Sequence, residues 1–99
     1  MKHTSAFEAL GDPTRRAILK QLRNGSRSAG EIADEFHLTK PTLSHHFKVL
    51  RAAGLVRAER RGTSIVYSLQ ANTLEEIAAE LLGWVDGAVS AAKKKKAVE

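Results

Sequence analysis

Short polar and basic side chains cluster between positions 40 and 48, a stretch that contains no Asp or Glu. Leu43, Phe47 and Leu50 follow at i, i+4 and i+7, which predicts a helix with these three side chains on its buried stripe. The opposite face carries groups that can reach base edges or phosphates from the major groove of DNA, which is wide enough to admit an α-helix. The candidate DNA-binding residues of this helix are Lys40, Pro41, Thr42, Ser44, His45 and Lys48.

A second basic group follows between two segments with strand periodicity. Residues 55–59 and 65–69 alternate with period two, which predicts a β-hairpin whose tip is the intervening basic segment. A basic hairpin after a DNA-recognition helix is typical of a wing that contacts DNA, and a merely solvated turn is the alternative. The candidate DNA-binding residues of the hairpin are Arg60, Arg61 and Thr63.

Other chemistry has little support in the sequence. The chain has no cysteine, which excludes disulfides, thiolate metal ligands and a cysteine nucleophile. His45 and His46 are adjacent and therefore about 100° apart on a helix, whereas helical metal ligands are usually spaced i and i+4. Ser44 beside His45 diverges in the same way, and no orienting carboxylate is near in sequence. We therefore predict no catalytic residue, no metal site and no cofactor, with a packing or supporting role for His46.

The first two helices are predicted to be short and to meet at a tight junction. Apolar residues near the N-terminus indicate a helix that stops at Gly11. Asp12 and Pro13 then provide a favourable N-cap and first residue for the second helix. Arg15 and Arg16 lie in its first turn, where cations oppose the helix dipole. A surface salt bridge and a phosphate contact are both open for them.

The next two helices also carry clear start signals. Ser28 and Glu31 form a capping box that opens a third helix of about eight residues. Thr39 can cap a fourth helix over roughly 40–53, and Gly54 fits the left-handed position just past its end. The candidate DNA-binding face thus lies on the second helix of a helix-turn-helix.

Charge and apolar character separate along the chain. Residues 13–61 hold eleven Lys and Arg against four acidic residues, whereas residues 72–92 hold four acidic residues and no Lys or Arg. Apolar side chains of this last helix span about 160°, more than the roughly 100° that one core-facing side needs. The last helix is therefore predicted to have two surfaces to bury. We predict one domain over residues 1–92 and a basic, disordered tail over residues 93–99.

The N-terminus has no apolar segment typical of a secretory signal, and the longest apolar runs are about five residues. A bilayer crossing needs roughly 20. We therefore expect a cytoplasmic protein with no membrane insertion.

Four segments resemble one family: ALGDPTRRAIL from Ala9, AGEIA from Ala29, LTKPTLSHHFKVL from Leu38 and AGLV from Ala53. They are similar to the ArsR (arsenic-repressor) family of bacterial transcriptional repressors over about residues 5–90. The resemblance implies a mainly α winged helix-turn-helix: four helices, a small β-hairpin and a fifth helix. It also implies a homodimer formed by the first and last helices. The candidate dimer-interface residues are Phe7, Leu10, Leu74, Ile77, Leu81, Trp84, Val85 and Ala88.

The chain departs from the family where many members bind metal. Those members use a Cys-rich motif on the helix before the recognition helix, or Asp, His and Glu ligands on the last helix. Here neither helix contains Cys or His. The chain resembles the metal-independent, SdpR-like autorepressor branch, which implies a dimeric repressor of a palindromic operator, with its own promoter as a candidate target. The inducer, a small molecule or a regulatory protein, stays open, and an antitoxin-like protein-interaction module is the alternative function.

Overall fold

The computed structural model describes the backbone of residues 3–98 and the side chains of residues 3–88. Within this range the fold is mainly helical with a small antiparallel sheet, and the predicted winged helix-turn-helix is confirmed. The elements are α1 (Thr4–Leu10), α2 (Pro13–Leu22), β1 (Arg27–Ser28), α3 (Ala29–Phe36), α4 (Lys40–Ala52), β2 (Val56–Arg61), β3 (Ser64–Leu69) and α5 (Ala71–Val98).

The predicted starts of α2 and α3 are confirmed by their caps. Asp12 Oδ2 accepts a hydrogen bond from the Arg15 backbone N–H at 2.9 Å, and Pro13 occupies the first turn. Ser28 Oγ accepts from the Glu31 N–H at 3.1 Å, while Glu31 Oε1 accepts from the Ser28 N–H at 2.9 Å. Because these backbone donors favour the charged carboxylate, they lower the pKa of both Asp12 and Glu31.

Two arginines fasten the end of α1 to the start of α2. Arg15 donates from Nε to Ala9 O at 2.8 Å and from Nη2 to Glu8 O at 3.2 Å. Arg16 Nη1 donates to Leu10 O at 2.7 Å. The last carbonyls of a helix lack intrahelical partners and carry partial negative charge, so cations stabilise them. This role for the two arginines was missed in the sequence, which left open a salt bridge or a phosphate contact.

The predicted hairpin is part of a three-stranded sheet of order β1-β3-β2. Its register begins with Arg61 opposite Ser64 beside the turn, where Gly62 has a left-handed φ of 61°. The third strand, β1, pairs with β3 and places Arg27 opposite Tyr67. It was not predicted, because two residues are too short to show an alternating pattern.

One hydrophobic core joins the helices to the sheet. Phe47 of α4 stacks on Tyr67 of β3 with ring centroids 3.6 Å apart. Ile77 is 2% exposed and is the last buried position along the described part of α5. The buried apolar side chains are Ala6, Ala9, Ile18, Leu19, Leu22, Ile32, Leu43, Phe47, Leu50, Leu55, Val56, Tyr67 and Ile77.

The ends of the two long helices differ slightly from the prediction. Gly54 has the expected left-handed φ of 72° after α4. However, α5 begins at Ala71, one residue before the predicted cap at Asn72, and its backbone continues to Val98. Glu99 lies outside the described residues, and the predicted boundary between the domain and the basic tail stays a prediction. Among the described helices, none is both long enough and apolar enough to cross a membrane.

Candidate nucleic-acid interface

The helix α4 begins at a compact turn after α3. His37 ends α3 in the left-handed conformation with φ 53°, and three residues later α4 has started. Thr39 Oγ1 accepts from the Thr42 N–H at 3.4 Å and donates to Thr42 Oγ1 at 3.0 Å. Pro41 lies in the first turn, where the missing N–H has no intrahelical partner to lose. These local contacts fix the start of the recognition helix.

The two sides of α4 are sharply different. Leu43, Phe47 and Leu50 are 4%, 2% and 0% exposed. The opposite side is open to solvent and carries no carboxylate. We call its six residues, all of them exposed, the α4 polar face: Lys40, Pro41, Thr42, Ser44, His45 and Lys48.

The predicted wing residues Arg60, Arg61 and Thr63 are also exposed, at and beside the hairpin turn. Arg61 Nη2 lies 3.4 Å from Glu59 Oε2, with both side chains more than 60% exposed. An ion pair so open to water contributes little to the free energy of folding. The Arg61 guanidinium can therefore leave Glu59 for a phosphate at small cost.

A groove of ≈ 530 Å³ lies along α4 where this helix meets Tyr67 of β3. It adds Arg51, which the sequence reasoning missed although Ser44, Lys48 and Arg51 share the i, i+4, i+7 spacing of one helix face. Burial raises the pKa of the Tyr67 hydroxyl, and this effect outweighs the positive charge of Arg51, which lowers the same pKa. The hydroxyl therefore stays protonated and can donate a hydrogen bond. The lining residues are Ser44, Phe47, Lys48, Arg51, Ala52 and Tyr67.

His46 lies behind the α4 polar face and is 9% exposed. Its Nδ1 is 3.3 Å from Arg15 Nη1 and 4.0 Å from Asp12 Oδ2. Burial lowers the pKa of His46, Asp12 raises it and Arg15 lowers it further. The imidazole is therefore neutral at neutral pH, and in the tautomer that carries its proton on Nε2, Nδ1 accepts the Arg15 hydrogen. Among residues whose side chains are described, no three His, Asp or Glu meet as a potential metal site.

A second surface is apolar and lies on α5. Leu81, Leu82, Trp84 and Val85 are 41%, 61%, 52% and 55% exposed, although large apolar side chains are usually covered. Leu82 was not among the predicted interface residues. We call this surface, together with exposed Ala88, the α5 apolar face.

The remaining predicted interface residues are partly or fully covered by their own chain. Phe7 is half-buried and stacks on Trp84 with ring centroids 5.7 Å apart. Leu10 and Leu74 are partly buried against the core. Ile77 is 2% exposed and belongs to the core, so it supports the α5 apolar face from beneath.

A helix-turn-helix whose second helix has a free polar face, followed by a basic β-hairpin, defines a winged helix-turn-helix protein. The family model for "Bacterial regulatory protein, arsR family" matches residues 12–58. The chain belongs to this family, whose members are transcriptional regulators and not enzymes, as the sequence predicts.

Two curated relatives extend the match over most of the chain. The transcriptional repressor SdpR of Bacillus subtilis is 38% identical over 82 residues, which are 83% of this chain and 91% of SdpR. An HTH-type transcriptional regulator of Methanocaldococcus jannaschii is 43% identical over 77 residues, which are 77% of this chain and 86% of that protein. The resemblance to SdpR inferred from sequence motifs is confirmed.

Solved structures give the same fold. A crystal structure of an ArsR family transcriptional regulator superposes with a TM-score of 0.81 at 27% identity, covering 87% of this chain and 94% of that one. The transcriptional repressor BigR from Xylella fastidiosa gives a TM-score of 0.64 at 30% identity, covering 76% of this chain and 78% of BigR.

Proposed function

We propose that this protein is a cytoplasmic, homodimeric transcriptional repressor that binds a palindromic DNA operator without a metal sensor. The α4 polar face enters the major groove, and Arg60, Arg61 and Thr63 of the wing contact the flanking backbone or minor groove. Residues 1–92 form the DNA-binding and dimerisation domain. Its own promoter is the first candidate target.

The observation that carries this proposal is the joint exposure of the α4 polar face and the basic wing. Side chains that were only expected to share a helix face are all accessible, and the groove beside them adds Arg51. Short hydroxyls and single cations suit base edges and phosphates, while carboxylates would be repelled by the DNA backbone. An acid-free, basic surface also argues against the alternative of an antitoxin-like protein-interaction module.

The α5 apolar face supports the dimer. Trp84 and its apolar neighbours are exposed in one protomer, and a second copy would cover them with the same surface by twofold symmetry. A twofold dimer presents two recognition helices, so its operator is a palindrome with half-sites about one helical turn, roughly 10 bp, apart.

Regulation follows a route other than metal binding in this proposal. Neither α3 nor α5 contains a Cys or His that could serve as a soft or imidazole ligand. A small-molecule inducer and a regulatory protein are the two release signals compatible with the chain.

Selection of duplexes from a random-sequence DNA pool, followed by fluorescence anisotropy, tests the proposal. We expect a palindromic consensus that is bound at least about a thousandfold more tightly than an unrelated duplex of equal length. Affinity for both duplexes should fall as salt rises, because bound cations displace counterions from phosphates. Failure to enrich any sequence contradicts the proposal. Stoichiometric capture of a partner protein by a chain that binds no DNA supports the protein-interaction alternative.

A further inference from the structure

A polar cluster connects three helices behind the α4 polar face. Arg15 of α2 donates to Ala9 O and Glu8 O at the end of α1 and lies 3.3 Å from Nδ1 of His46 on α4. Asp12 Oδ2 accepts a hydrogen bond from the Arg15 backbone N–H and lies 4.0 Å from Nδ1 of His46. We call Asp12, Arg15 and His46 the Arg15 cluster. Arg15 is the member that bonds α1 and reaches α4.

We propose that Arg15 is a positioning residue for DNA recognition: its guanidinium holds the recognition helix in the orientation that DNA requires. The inference rests on the proposed function and deepens it. One planar guanidinium with five donors can serve two carbonyls and an imidazole at once, which a lysine ammonium on a flexible stem cannot do with the same geometry. Because His46 immediately follows His45 of the α4 polar face, rotation of α4 about this contact redirects that face.

The cluster makes DNA binding sensitive to acid. Neutral His46 accepts the Arg15 hydrogen, but a protonated imidazole has no free acceptor and places a second cation 3.3 Å from the guanidinium. The nearby Asp12 carboxylate then draws the imidazolium towards itself. We therefore expect the positioning contact to break, and DNA affinity to fall, as pH drops below the ordinary histidine range of about 6.5.

The stability of the folded chain should also fall as the pH drops. Burial lowers the pKa of His46 in the folded chain, so the unfolded chain binds more protons at mildly acid pH. The free energy of unfolding therefore decreases as pH falls through about 6.5 towards the folded pKa. The charged and titratable groups acting on His46 are Asp12, Arg15 and His45. Variants at position 46 are therefore needed to assign the pH response to His46 itself.

Anisotropy titrations with the selected duplex, at about pH 7.5 and about pH 6 and over a salt series, test the proposal. Arg15→Gln removes the positive charge and the planar guanidinium that donates to several acceptors at once. Arg16→Gln is the matched control, since it removes the same charge from the next residue, whose guanidinium donates to Leu10 O in α1 and to no described residue of α4. His46→Gln keeps a neutral acceptor that cannot titrate, and His46→Leu removes the acceptor.

We expect Arg15→Gln and His46→Leu to weaken binding of the selected duplex about tenfold at about pH 7.5, with the salt slope unchanged. Arg16→Gln should stay within about twofold. His46→Gln should bind like the wild type at the higher pH and lose the decline at the lower pH. Arg15→Gln with unaltered affinity overturns the proposal, and so does a salt slope reduced by about one, which is the signature of a direct phosphate contact.

A readout without DNA guards against misfolded variants. In an NMR titration of the histidine rings, Arg15→Gln should raise the pKa of His46, because a neighbouring positive charge is removed. An unchanged His46 pKa overturns the contact itself. If the wild type selects no duplex, the proposed function and the positioning role both fail. If it selects one that the Arg15 and His46 variants bind equally well, the positioning role alone fails.

Discussion

Two aromatic pairs lie behind the two candidate surfaces, and they are packed very differently. Phe47 and Tyr67 stack beneath the α4 polar face at 3.6 Å between ring centroids and 3° between planes, with 2% and 6% exposure. Phe7 and Trp84 meet beside the α5 apolar face at 5.7 Å and 25°, and Trp84 is 52% exposed. The first pair is complete within one protomer, and the second is covered on one side only.

This difference fits the two proposed roles, DNA contact by the α4 polar face and dimerisation through the α5 apolar face. The α4 polar face is stable in water because its side chains are solvated while the core holds the helix from behind. The α5 apolar face leaves large apolar side chains in water, and covering them is worth about 25 cal/mol per Å². Under the proposed function, folding of one chain completes the surface that contacts DNA, whereas association with a second chain covers the α5 apolar face.

The largest expected effect comes from breaking the buried pair. Phe47→Ala should lower the free energy of unfolding by about 3–5 kcal/mol, because it removes the Tyr67 stack and leaves a cavity between α4 and β3. Urea denaturation at fixed protein concentration measures this, because the proposed dimerisation would make stability depend on concentration. Trp84→Ala is the comparison variant and should destabilise the protomer less. Equal losses in the two variants would contradict the contrast between the pairs.

The next largest effect should fall on association. Trp84→Asp places a charge in the centre of the α5 apolar face and should weaken the dimer by about 2 kcal/mol or more, about 30-fold in the dissociation constant. Sedimentation equilibrium measures it. Ala79→Asp is the control, because position 79 is exposed and, five residues before Trp84, points away from Trp84 around the helix. A wild type that is monomeric at all accessible concentrations, or equal effects of both changes, would rule out this surface as the dimer interface.

The elements that were predictable from sequence are those set by local chemistry. Asp12, Ser28 and Thr39 each accept a hydrogen bond from the backbone N–H three residues later, so their types and spacing already determine where α2, α3 and α4 begin. Periodicity also separates Phe47, which faces inward, from Lys48, which faces outward. The α4 polar face and the wing were predictable for the same reason.

The features that sequence could not give depend on distant parts of the chain. Strand β1 exists through its pairing with β3, and Arg15 bonds carbonyls six and seven residues earlier as well as His46. Ile77 and Leu81 fall on the same apolar arc, yet the first is buried and the second is 41% exposed. Periodicity defines the arc, but where the core ends along α5 is set by how far the other helices extend.

A change on the α4 polar face should affect recognition with little effect on folding. Lys48→Met keeps the length of the side chain and removes its charge, and it should weaken binding of the selected duplex by about 1–3 kcal/mol, or roughly 5- to 150-fold. Binding of an unrelated duplex should weaken less. Lys20→Met, an exposed change on α2, is the control for charge alone. Anisotropy titrations of both variants on both duplexes measure these effects. If Lys48→Met weakened binding of the two duplexes equally, Lys48 would not contribute to sequence recognition.

The smallest effect should come from the wing, where the ion pair is open to water. Arg61→Gln should reduce the slope of log affinity against log salt by about one while costing at most about 1 kcal/mol, because a phosphate contact is lost without a base contact. Glu59→Gln is the complementary control: it frees Arg61 and removes a negative charge, so it should bind slightly more tightly. If Arg61→Gln left the salt slope unchanged, the hairpin tip would be a solvated turn and DNA contact would belong to α4 alone. If it altered the selected consensus, the wing would read bases as well as phosphates.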